Sequence, residues 1–188
     1  LSELIKIGTS AGGQRPKAII AYNKKTGDIR SGQINVPEGF KNCILKFDGI
    51  KSGNLADPEG FGKIEFVYYK MATACGIKMM PCNLIFENNR AHFITERFDR
   101  TGNEKIHLQT LCAVAHYDYM LPGAYSYEGA LAEMREMELP YEDIEQMYKR
   151  IVFNIIARNQ DDHSKNISFI LKKGEEWKII HGHFSYVP

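Results

Sequence analysis

"ARNQDDHSKNISFI", residues 157–170, places two aspartates, a histidine, a lysine and an asparagine within six consecutive positions and then turns apolar. The preceding stretch, residues 141–159, has apolar residues at helical spacing after Pro140 and is predicted to be the longest helix. The following stretches, "ISFIL" (167–171) and "EWKII" (176–180), are predicted to form a hairpin. The polar cluster is therefore predicted to be a loop held between rigid elements, a favoured place for chemistry.

The sequence around this loop predicts a mainly helical second half. "LQTLCAVAHYDYM" (108–120) is expected to be one helix, and "SYEGALAEMREM" (126–137) a second, with Ser126 as its N-cap. In the longest helix a wide apolar stripe is formed by Ile144, Met147, Tyr148, Ile151, Val152, Ile155 and Ile156.

The first half is rich in strand and turn signals. "KAIIAYN" (17–23) and "NCILKFDG" (42–49) indicate strands of a small antiparallel sheet, and residues 83–87 and 91–99 indicate a hairpin around "NNR". Between them, residues 63–75 have the spacing of one amphipathic helix, which Gly76 ends.

Composition narrows the function classes. The 24 basic and 23 acidic residues leave a formal net charge of +1 without a basic stripe, so direct DNA binding is not expected. No stretch is apolar enough to span a membrane, and the first residues lack a signal-peptide pattern, so the expected location is cytoplasmic. The four cysteines form no CxxC pair and are expected to be buried free thiols.

Three features of the first half suggest phosphate chemistry. The glycine-rich run "GTSAGGQRPKA" (8–18) could turn backbone N–H groups toward a phosphate, or could be an ordinary hairpin turn. Lys46 interrupts an apolar strand and could pair with a phosphate, or could face solvent. Glu65 lies on the next helix where it could reach Lys46, or could be an exposed helical acid.

The order of these features matters more than any one of them. Glycine-rich loop, strand lysine, helical glutamate, hairpin, helical lobe and acidic loop follow one another as in phosphoryl-transfer enzymes of the protein-kinase fold. The sequence thus predicts an α+β, protein-kinase-like bilobal fold. Residues 1–100 would be a sheet-rich nucleotide-binding lobe with one helix, and residues 101–188 a mainly helical lobe with the catalytic loop.

The acidic loop fits this order. Asp161 and Asn166 have the kinase-like spacing D-x-x-x-x-N. Asp161 would accept or orient the proton of an attacking hydroxyl, and Asn166 would ligate Mg²⁺ through its amide oxygen. The rival interpretation is a transition-metal site built from Asp161, Asp162 and His163, although adjacent loop residues rarely converge on one ion.

With these pieces in order, the chain resembles the HipA family of bacterial serine/threonine kinases, the toxins of HipA/HipB-type toxin-antitoxin systems. The resembling stretches are "GTSAGGQRPKA", "CILKF", the glutamate of "GKIEFVYYKMATACGI", "FITERFDR", "SYEGAL" and "FNIIARNQDDHSKNISFIL". They span roughly residues 7–180, and "ERFDR" with "NQDDHSKN" is quite specific.

The resemblance implies a role for each matching residue, with ATP and Mg²⁺ as cofactors. Asp161 is the catalytic aspartate, and His163 and Asn166 lie at nucleotide and metal positions. Lys46 contacts the ATP phosphates. The remaining nucleotide-binding positions are Ala11, Gly12, Gly13 and Gln14 of the phosphate-binding loop, Glu96 and Phe98 of an adenine hinge at about residues 96–99, and Asp99 near the ribose.

The resemblance also implies regulation and partners. Thr9 and Ser10 are the candidates for the loop hydroxyl whose autophosphorylation shuts such kinases down, since a phosphate there would compete for the groups that hold ATP. The implied substrate is a translation component such as an aminoacyl-tRNA synthetase, and the implied partner is a HipB-like helix-turn-helix antitoxin.

Two departures from the family pattern stand in the sequence. The family continues after the "EWKI" strand with a metal-binding aspartate, whereas this sequence has no aspartate after Asp162. Family members also carry further segments, so the sequence resembles a core portion of the family. Besides a kinase, two hypotheses therefore stay open: a catalytically impaired nucleotide- or partner-binding module, and a purely structural α+β domain.

Overall fold

The computed structural model describes residues 16–49, 51–52, 55–56, 59–121 and 123–180, with only the main chain for residues 51–52 and 55–56. The chain is α+β and divides into two compact units. Of these residues, those up to 67 and those from 80 to 104 belong to the first unit, and those from 68 to 79 and from 105 onward belong to the second.

The first unit is built on an antiparallel five-stranded sheet with the order β2-β1-β3-β7-β6. The strands of this part of the chain are β1 (Lys17–Tyr22), β2 (Ile29–Ser31), β3 (Lys41–Lys46), β4 (Lys51–Ser52), β5 (Leu55–Ala56), β6 (Cys82–Glu87), β7 (Arg90–Glu96), β8 (Arg100–Thr101) and β9 (Glu104–Lys105). The short strands pair separately, β4 with β5 and β8 with β9.

The hairpin predicted around "NNR" is confirmed. Asn88 and Asn89 both have left-handed backbone angles, with φ of 49° and 63°. Two consecutive residues with these angles form a two-residue turn whose twist matches that of the flanking strands. Asparagine adopts left-handed backbone angles more readily than most residues. The register that follows pairs Leu84 with Phe93 and Cys82 with Thr95.

Alternation along the central strands separates the two faces of the sheet. On one face a buried cluster comprises Ala18, Ile20, Cys43, Leu45, Phe47 and Ile94. Because side chains alternate along a strand, Lys46 points to the face opposite Leu45. The register places Lys46 beside Phe93, and its ammonium lies 5.8 Å from the centre of that ring.

Helix α1 (Phe61–Ala74) confirms the helix predicted for residues 63–75. The buried Asp48 carboxylate accepts hydrogen bonds from Gly60 N and Gly62 N, at 2.9 and 3.4 Å, and so satisfies donors that a helix start leaves unpaired. At its other end Gly76, with φ of 76°, turns the chain, and Ile77 N donates to Ala72 O.

Besides residues 68–74 of α1, the described part of the second unit contains three helices and an antiparallel three-stranded sheet. The helices are α2 (Leu111–Val114), α3 (Tyr127–Glu136) and α4 (Tyr141–Ile156), and the strands β10 (His107–Thr110), β11 (Ser168–Leu171) and β12 (Lys178–Ile180) are ordered β10-β11-β12. The predicted cap of α3 is confirmed, because Ser126 Oγ accepts from Gly129 N at 3.1 Å. The predicted hairpin of residues 167–171 and 176–180 is confirmed as β11 and β12.

The single helix predicted for residues 108–120 is wrong. Residues up to Thr110 form β10, which pairs with β11 in the register Leu108 to Ile170. Thr110 then caps α2, and His116 leaves the helical conformation with φ of 54°. The tertiary pairing outweighs the local helical spacing here, because an unpaired β11 edge would leave backbone groups without partners.

The core of the second unit lies between its helices and sheet. It comprises Leu111, Ala130, Met134, Leu139, Met147, Ile151, Ile167, Phe169 and Ile179. Trp177 packs against this cluster and its ring centre lies 5.5 Å from that of His107. Both residues belong to the second unit.

The buried face of α4 differs from the apolar stripe of the sequence. Of that stripe Met147 and Ile151 are buried, whereas Tyr148, Ile155 and Ile156 are 60%, 64% and 76% exposed. The buried residues of the helix include polar ones, namely Gln146, Arg150 and Asn154. Polar side chains are buried in this way only where partners satisfy them, and the partners are described below.

The remaining expectations concern thiols and membranes. The four cysteines are free, as expected, but only Cys43 is fully buried, and Cys75 is exposed near the end of α1. Among the described residues no helix is both long and apolar enough to cross a bilayer.

Candidate functional site

A buried ion pair joins the strand lysine to the helical glutamate. Lys46 Nζ lies 2.8 Å from Glu65 Oε2, and the two side chains are 11% and 5% exposed. A solvent-facing lysine and an exposed helical acid were the alternatives for these residues, and both are wrong. Burying two charges is unfavourable unless they are paired, so the position of each side chain depends on the other.

The start of α1 positions Glu65. Asp48 holds the first turn through Gly60 and Gly62, and the backbone N of Asp48 donates to Nδ1 of His92 at 2.9 Å. His92 is 1% exposed. Burial, reinforced by the charge of Arg90, lowers the pKa of His92, so the neutral ring that can accept this hydrogen bond is favoured.

The residues assigned to the hinge follow directly after β7. Arg97 N donates to Asn42 O at 2.8 Å, which ties the segment to β3. The Asp99 carboxylate accepts two hydrogen bonds from Arg97, at 2.8 and 2.7 Å, and one from Arg100 at 2.6 Å. Burial alone would raise the pKa of Asp99, but the two guanidinium groups lower it below its ordinary value. A ribose hydroxyl would have to share this carboxylate with both arginines.

The loop after α4 holds the main chain of Asp161 from both sides. Asp161 N donates to Asn159 Oδ1 at 3.3 Å, and Asp161 O accepts from Asn166 Nδ2 at 2.5 Å. The Asp161 side chain is 31% exposed, with His163 Nε2 4.0 Å from its Oδ1. The carboxylate of Asp161 is thus accessible while its backbone is fixed.

Asp162, the neighbouring residue, has the opposite environment. Its carboxylate is 2% exposed and lies 2.8 Å from Arg150, which is 1% exposed. It also accepts from Asn154 Nδ2 at 2.6 Å and from the Tyr127 hydroxyl at 3.1 Å. Burial and then the charge of Asp162 raise the pKa of Tyr127 to about 12, so the phenol stays a donor. Asp162 is therefore an anchor of the loop.

The sequence interpretation missed this anchor. A signal was present, because Arg150 and Asn154 are four residues apart in the longest helix and interrupt its otherwise apolar spacing. A charged residue and an amide at one helical face, followed by two consecutive aspartates, indicate that one aspartate is a partner for the helix.

Further contacts fix the rest of the loop. Cys112 N donates to Ser164 O at 3.1 Å and Leu111 N to Ile167 O at 2.9 Å, so α2 holds the segment that follows the aspartates. The Lys165 ammonium lies 3.1 Å from the centre of the Tyr119 ring, within the range of a cation–π contact.

The donor set fits magnesium better than a transition metal. Because the Asp162 carboxylate is bound to Arg150, Asp162 does not join Asp161 and His163 in a metal site, and the described residues contain no group of three or more His, Cys, Asp or Glu suited to an ion. Asn166 uses its Nδ2 on Asp161 O, so its amide oxygen is the atom left for a cation. Amide and carboxylate oxygens of this kind are the ligands that Mg²⁺ prefers.

Several predicted site residues lie outside the described residues, so their roles stay predictions. They are Thr9, Ser10, Ala11, Gly12, Gly13 and Gln14 of the glycine-rich loop. Among the described site residues, Lys46, Glu96, Phe98 and Asp99 belong to the first unit, and Asp161, His163 and Asn166 to the second.

Comparisons with known proteins identify similar chains. A family model described as the HipA-like C-terminal domain matches residues 9–180. A HipA from Shewanella oneidensis MR-1, solved in a complex with HipB and operator DNA, has a TM-score of 0.65 at 19% identity, over 93% of this chain and 42% of that chain. The Helicobacter pylori proinflammatory kinase CtkA has a TM-score of 0.60 at 13% identity, over 94% of this chain and 55% of its own.

These similarities establish a kinase-like fold. The chain spans less than two thirds of the length of either structure. No curated protein matches its sequence.

Proposed function

Since the chain belongs to the HipA-like C-terminal domain family, we propose that it is a HipA-type serine/threonine protein kinase that uses ATP and Mg²⁺. The observation that carries the proposal is the buried pair of Lys46 and Glu65, 2.8 Å apart. In kinases a strand lysine held by a helical glutamate binds ATP phosphates, and this arrangement is required for phosphoryl transfer. A purely structural domain has no need to bury two charges in this way.

The reaction follows from the roles of the chain's own residues. A hydroxyl oxygen of the protein substrate attacks the γ-phosphorus of ATP, the bond from that phosphorus to the bridging oxygen breaks, and ADP leaves. Asp161, with its accessible carboxylate and fixed backbone, orients the hydroxyl and accepts its proton. Lys46 neutralises phosphate charge.

The remaining nucleotide contacts are proposed from the family pattern. Gly12 and Gly13 would hold phosphates through their backbone N–H groups, and Glu96 and Phe98 would meet the adenine. Asn166 would help to hold Mg²⁺, which would neutralise the charge that develops on the transferred phosphoryl group.

Partners are proposed from the same membership. The Shewanella oneidensis HipA was solved with HipB and its operator DNA, and we propose a HipB-like antitoxin as the partner of this chain. The proposed substrate is a translation component such as an aminoacyl-tRNA synthetase, and the proposed site of autophosphorylation is Thr9 or Ser10.

A second candidate is a nucleotide- or partner-binding module without transfer activity. The observation that favours it is that residues 163–188, where the family pattern has its metal-binding aspartate after the "EWKI" strand, contain no aspartate. A kinase-type metal site uses a second carboxylate to hold Mg²⁺, and one that lacks it could retain nucleotide without transferring the phosphoryl group.

Intact mass after incubation with ATP and Mg²⁺ tests the proposal. We expect a gain of about 80 Da, one phosphoryl group, which maps to Thr9 or Ser10. Asp161→Asn should abolish the gain. Asp28→Asn, an equal change at an exposed aspartate of the first unit, should retain it.

The contrary outcomes separate the other candidates. No mass gain, combined with a higher melting temperature in the presence of ATP and Mg²⁺, would favour the binding module. No gain and no stabilisation at millimolar nucleotide would favour a structural domain.

A further inference from the structure

The anchor of the catalytic loop extends beyond the ion pair through two buried amides. Asn154 Nδ2 donates to the Asp162 carboxylate at 2.6 Å, and Asn154 Oδ1 accepts from Asn159 Nδ2 at 3.1 Å. Asn159 Oδ1 in turn accepts from Asp161 N at 3.3 Å. Asn154 and Asn159 are 1% and 8% exposed, so water does not compete strongly for these hydrogen bonds.

The carboxylate determines the direction of every link in this chain. An ionised carboxylate can only accept hydrogen bonds, so the amide of Asn154 must turn its NH₂ group toward Asp162 and its oxygen toward Asn159. Asn159 must then present its own NH₂ group to that oxygen, which leaves its carbonyl oxygen for Asp161 N. One buried charge thereby orients two side chains and one backbone amide.

The far side of Asp161 is held independently. Its carbonyl oxygen accepts from Asn166 Nδ2 at 2.5 Å, and Asn166 N donates to His163 O at 2.8 Å. The peptide groups on both sides of Asp161 are therefore restrained, whereas its carboxylate is the exposed part of the residue.

We propose that Asn154 and Asn159 form a positioning relay that transmits the orientation of the buried Asp162–Arg150 pair to the backbone of Asp161. The inference rests on the proposed function, because the relay matters for catalysis only if Asp161 accepts the hydroxyl proton. Neither amide touches the reacting atoms. Their effect is on the geometry of Asp161, and small misplacements of a catalytic group can lower a rate about 100-fold.

The test breaks the relay while the ion pair remains. Asn154→Leu removes the link to Asp162, and Asn159→Leu removes the link to Asp161 N, so that one variant serves if the other does not fold. Gln146→Leu is the matched control: Gln146 is a buried amide of the same helix, and it bonds Lys78 N and Gly76 O in the same unit.

The first readout is autophosphorylation rate as a function of ATP concentration. We expect both asparagine variants to lose about 10- to 100-fold in maximal rate while the half-saturating ATP concentration stays within about twofold. Gln146→Leu should lower the melting temperature about as much as the two asparagine variants do, but it should leave the maximal rate unchanged. An equal loss of maximal rate in Gln146→Leu would mean that the asparagine variants act through general destabilisation, and it would overturn the proposal.

The second readout does not depend on activity. In NMR hydrogen exchange the Asp161 amide should be protected in the wild-type chain and exchange faster in both asparagine variants, with unchanged protection in Gln146→Leu. An unprotected Asp161 amide in the wild-type chain would overturn the relay. A wild-type chain that transfers no phosphoryl group would contradict the proposed function instead, and the exchange data would then decide the relay alone.

Discussion

Asp161 and Asp162 have the same side chain and adjacent positions, but their surroundings give them different chemistry. The Asp161 side chain is 31% exposed, and the Asp162 side chain is 2% exposed and bound to Arg150, Asn154 and Tyr127. An accessible carboxylate can exchange a proton with a substrate. One that accepts hydrogen bonds from the buried Arg150 and Asn154 and from the half-buried Tyr127 serves to fix the structure.

Unfolding free energies should separate the two aspartates. Asp162→Asn removes the carboxylate that lies 2.8 Å from the buried Arg150 guanidinium and should lower the free energy of unfolding by about 3–5 kcal/mol. Asp161→Asn removes a charge that is partly exposed and has no buried partner among the contacts described, and should change the free energy of unfolding by less than about 0.5 kcal/mol. Urea unfolding of both variants is the measurement. Comparable losses would contradict the assignment of Asp162 as the anchor.

The sequence could predict only part of this site. The spacing of Asp161 and Asn166 and the order of Lys46 before Glu65 are visible along the chain. The burial of Asp162 is not, because it depends on which face of the preceding helix packs inward. That choice also buries Gln146, Arg150 and Asn154, and a periodicity argument assigns polar residues to the solvent side.

At the scale of elements, prediction succeeded where local chemistry determines the structure. The Asn88–Asn89 turn sets the hairpin of β6 and β7, and Ser126 sets the start of α3. It failed for residues 108–120, where β10 forms because β11 is available as a partner far along the chain. Pairings of that range have no signature in a local window of sequence.

Helix α1 approaches β7 closely at one glycine, and substitution there should disturb the Lys46–Glu65 pair. A Cβ atom at Gly62 would lie 1.9 Å from Ala91 O, a backbone atom. Gly62→Ala should therefore force α1 away from the sheet, lower the free energy of unfolding by about 1–3 kcal/mol, and reduce autophosphorylation because Glu65 is on the next turn.

Gly129→Ala in α3 is the control for this change. Its Cβ would meet the hydroxyl of Tyr117 at 2.9 Å, the end of a side chain that can move. We expect a change within about 1 kcal/mol, since alanine also has the higher helix propensity. Urea unfolding and autophosphorylation of both variants provide the comparison. Full activity in Gly62→Ala would show that α1 tolerates the displacement.

For the whole molecule, buried groups whose pKa differs between the folded and the unfolded chain set the pH range of stability. Burial raises the pKa of Cys43 and of Cys82 from 9.0 to about 12. The unfolded chain releases these protons near pH 9 and the folded chain retains them, so the free energy of unfolding should fall as pH rises from about 9 to 12.

At acidic pH the dependence is opposite, and the free energy of unfolding falls as the pH falls. Burial lowers the pKa of His92 below 6.5, so the unfolded chain binds that proton first and stability should decline as pH falls below about 6.5. The pKa of Asp99 is also lowered, and its contribution should be lost at still lower pH, below its ordinary 3.8.

Urea midpoints across the pH range check this prediction. The wild-type chain should be most stable between about pH 7 and 8.5. Replacing Cys43 and Cys82 together by alanine should flatten the alkaline decline, because each retained proton contributes a slope of about 1.4 kcal/mol per pH unit. An unchanged alkaline slope in that variant would contradict the assignment to the two thiols.

The position of Trp177 determines what an optical experiment on this protein can see. It is the sole tryptophan of the sequence and packs in the second unit, beside His107. Selective excitation of its indole therefore follows the loss of structure around β10 and β12, while the five-stranded sheet of the first unit is optically silent at that wavelength. Circular dichroism, to which both units contribute, would supply the second curve. Coincidence of the two curves would mean that one cooperative transition dismantles both units, and separation would give each unit a stability of its own.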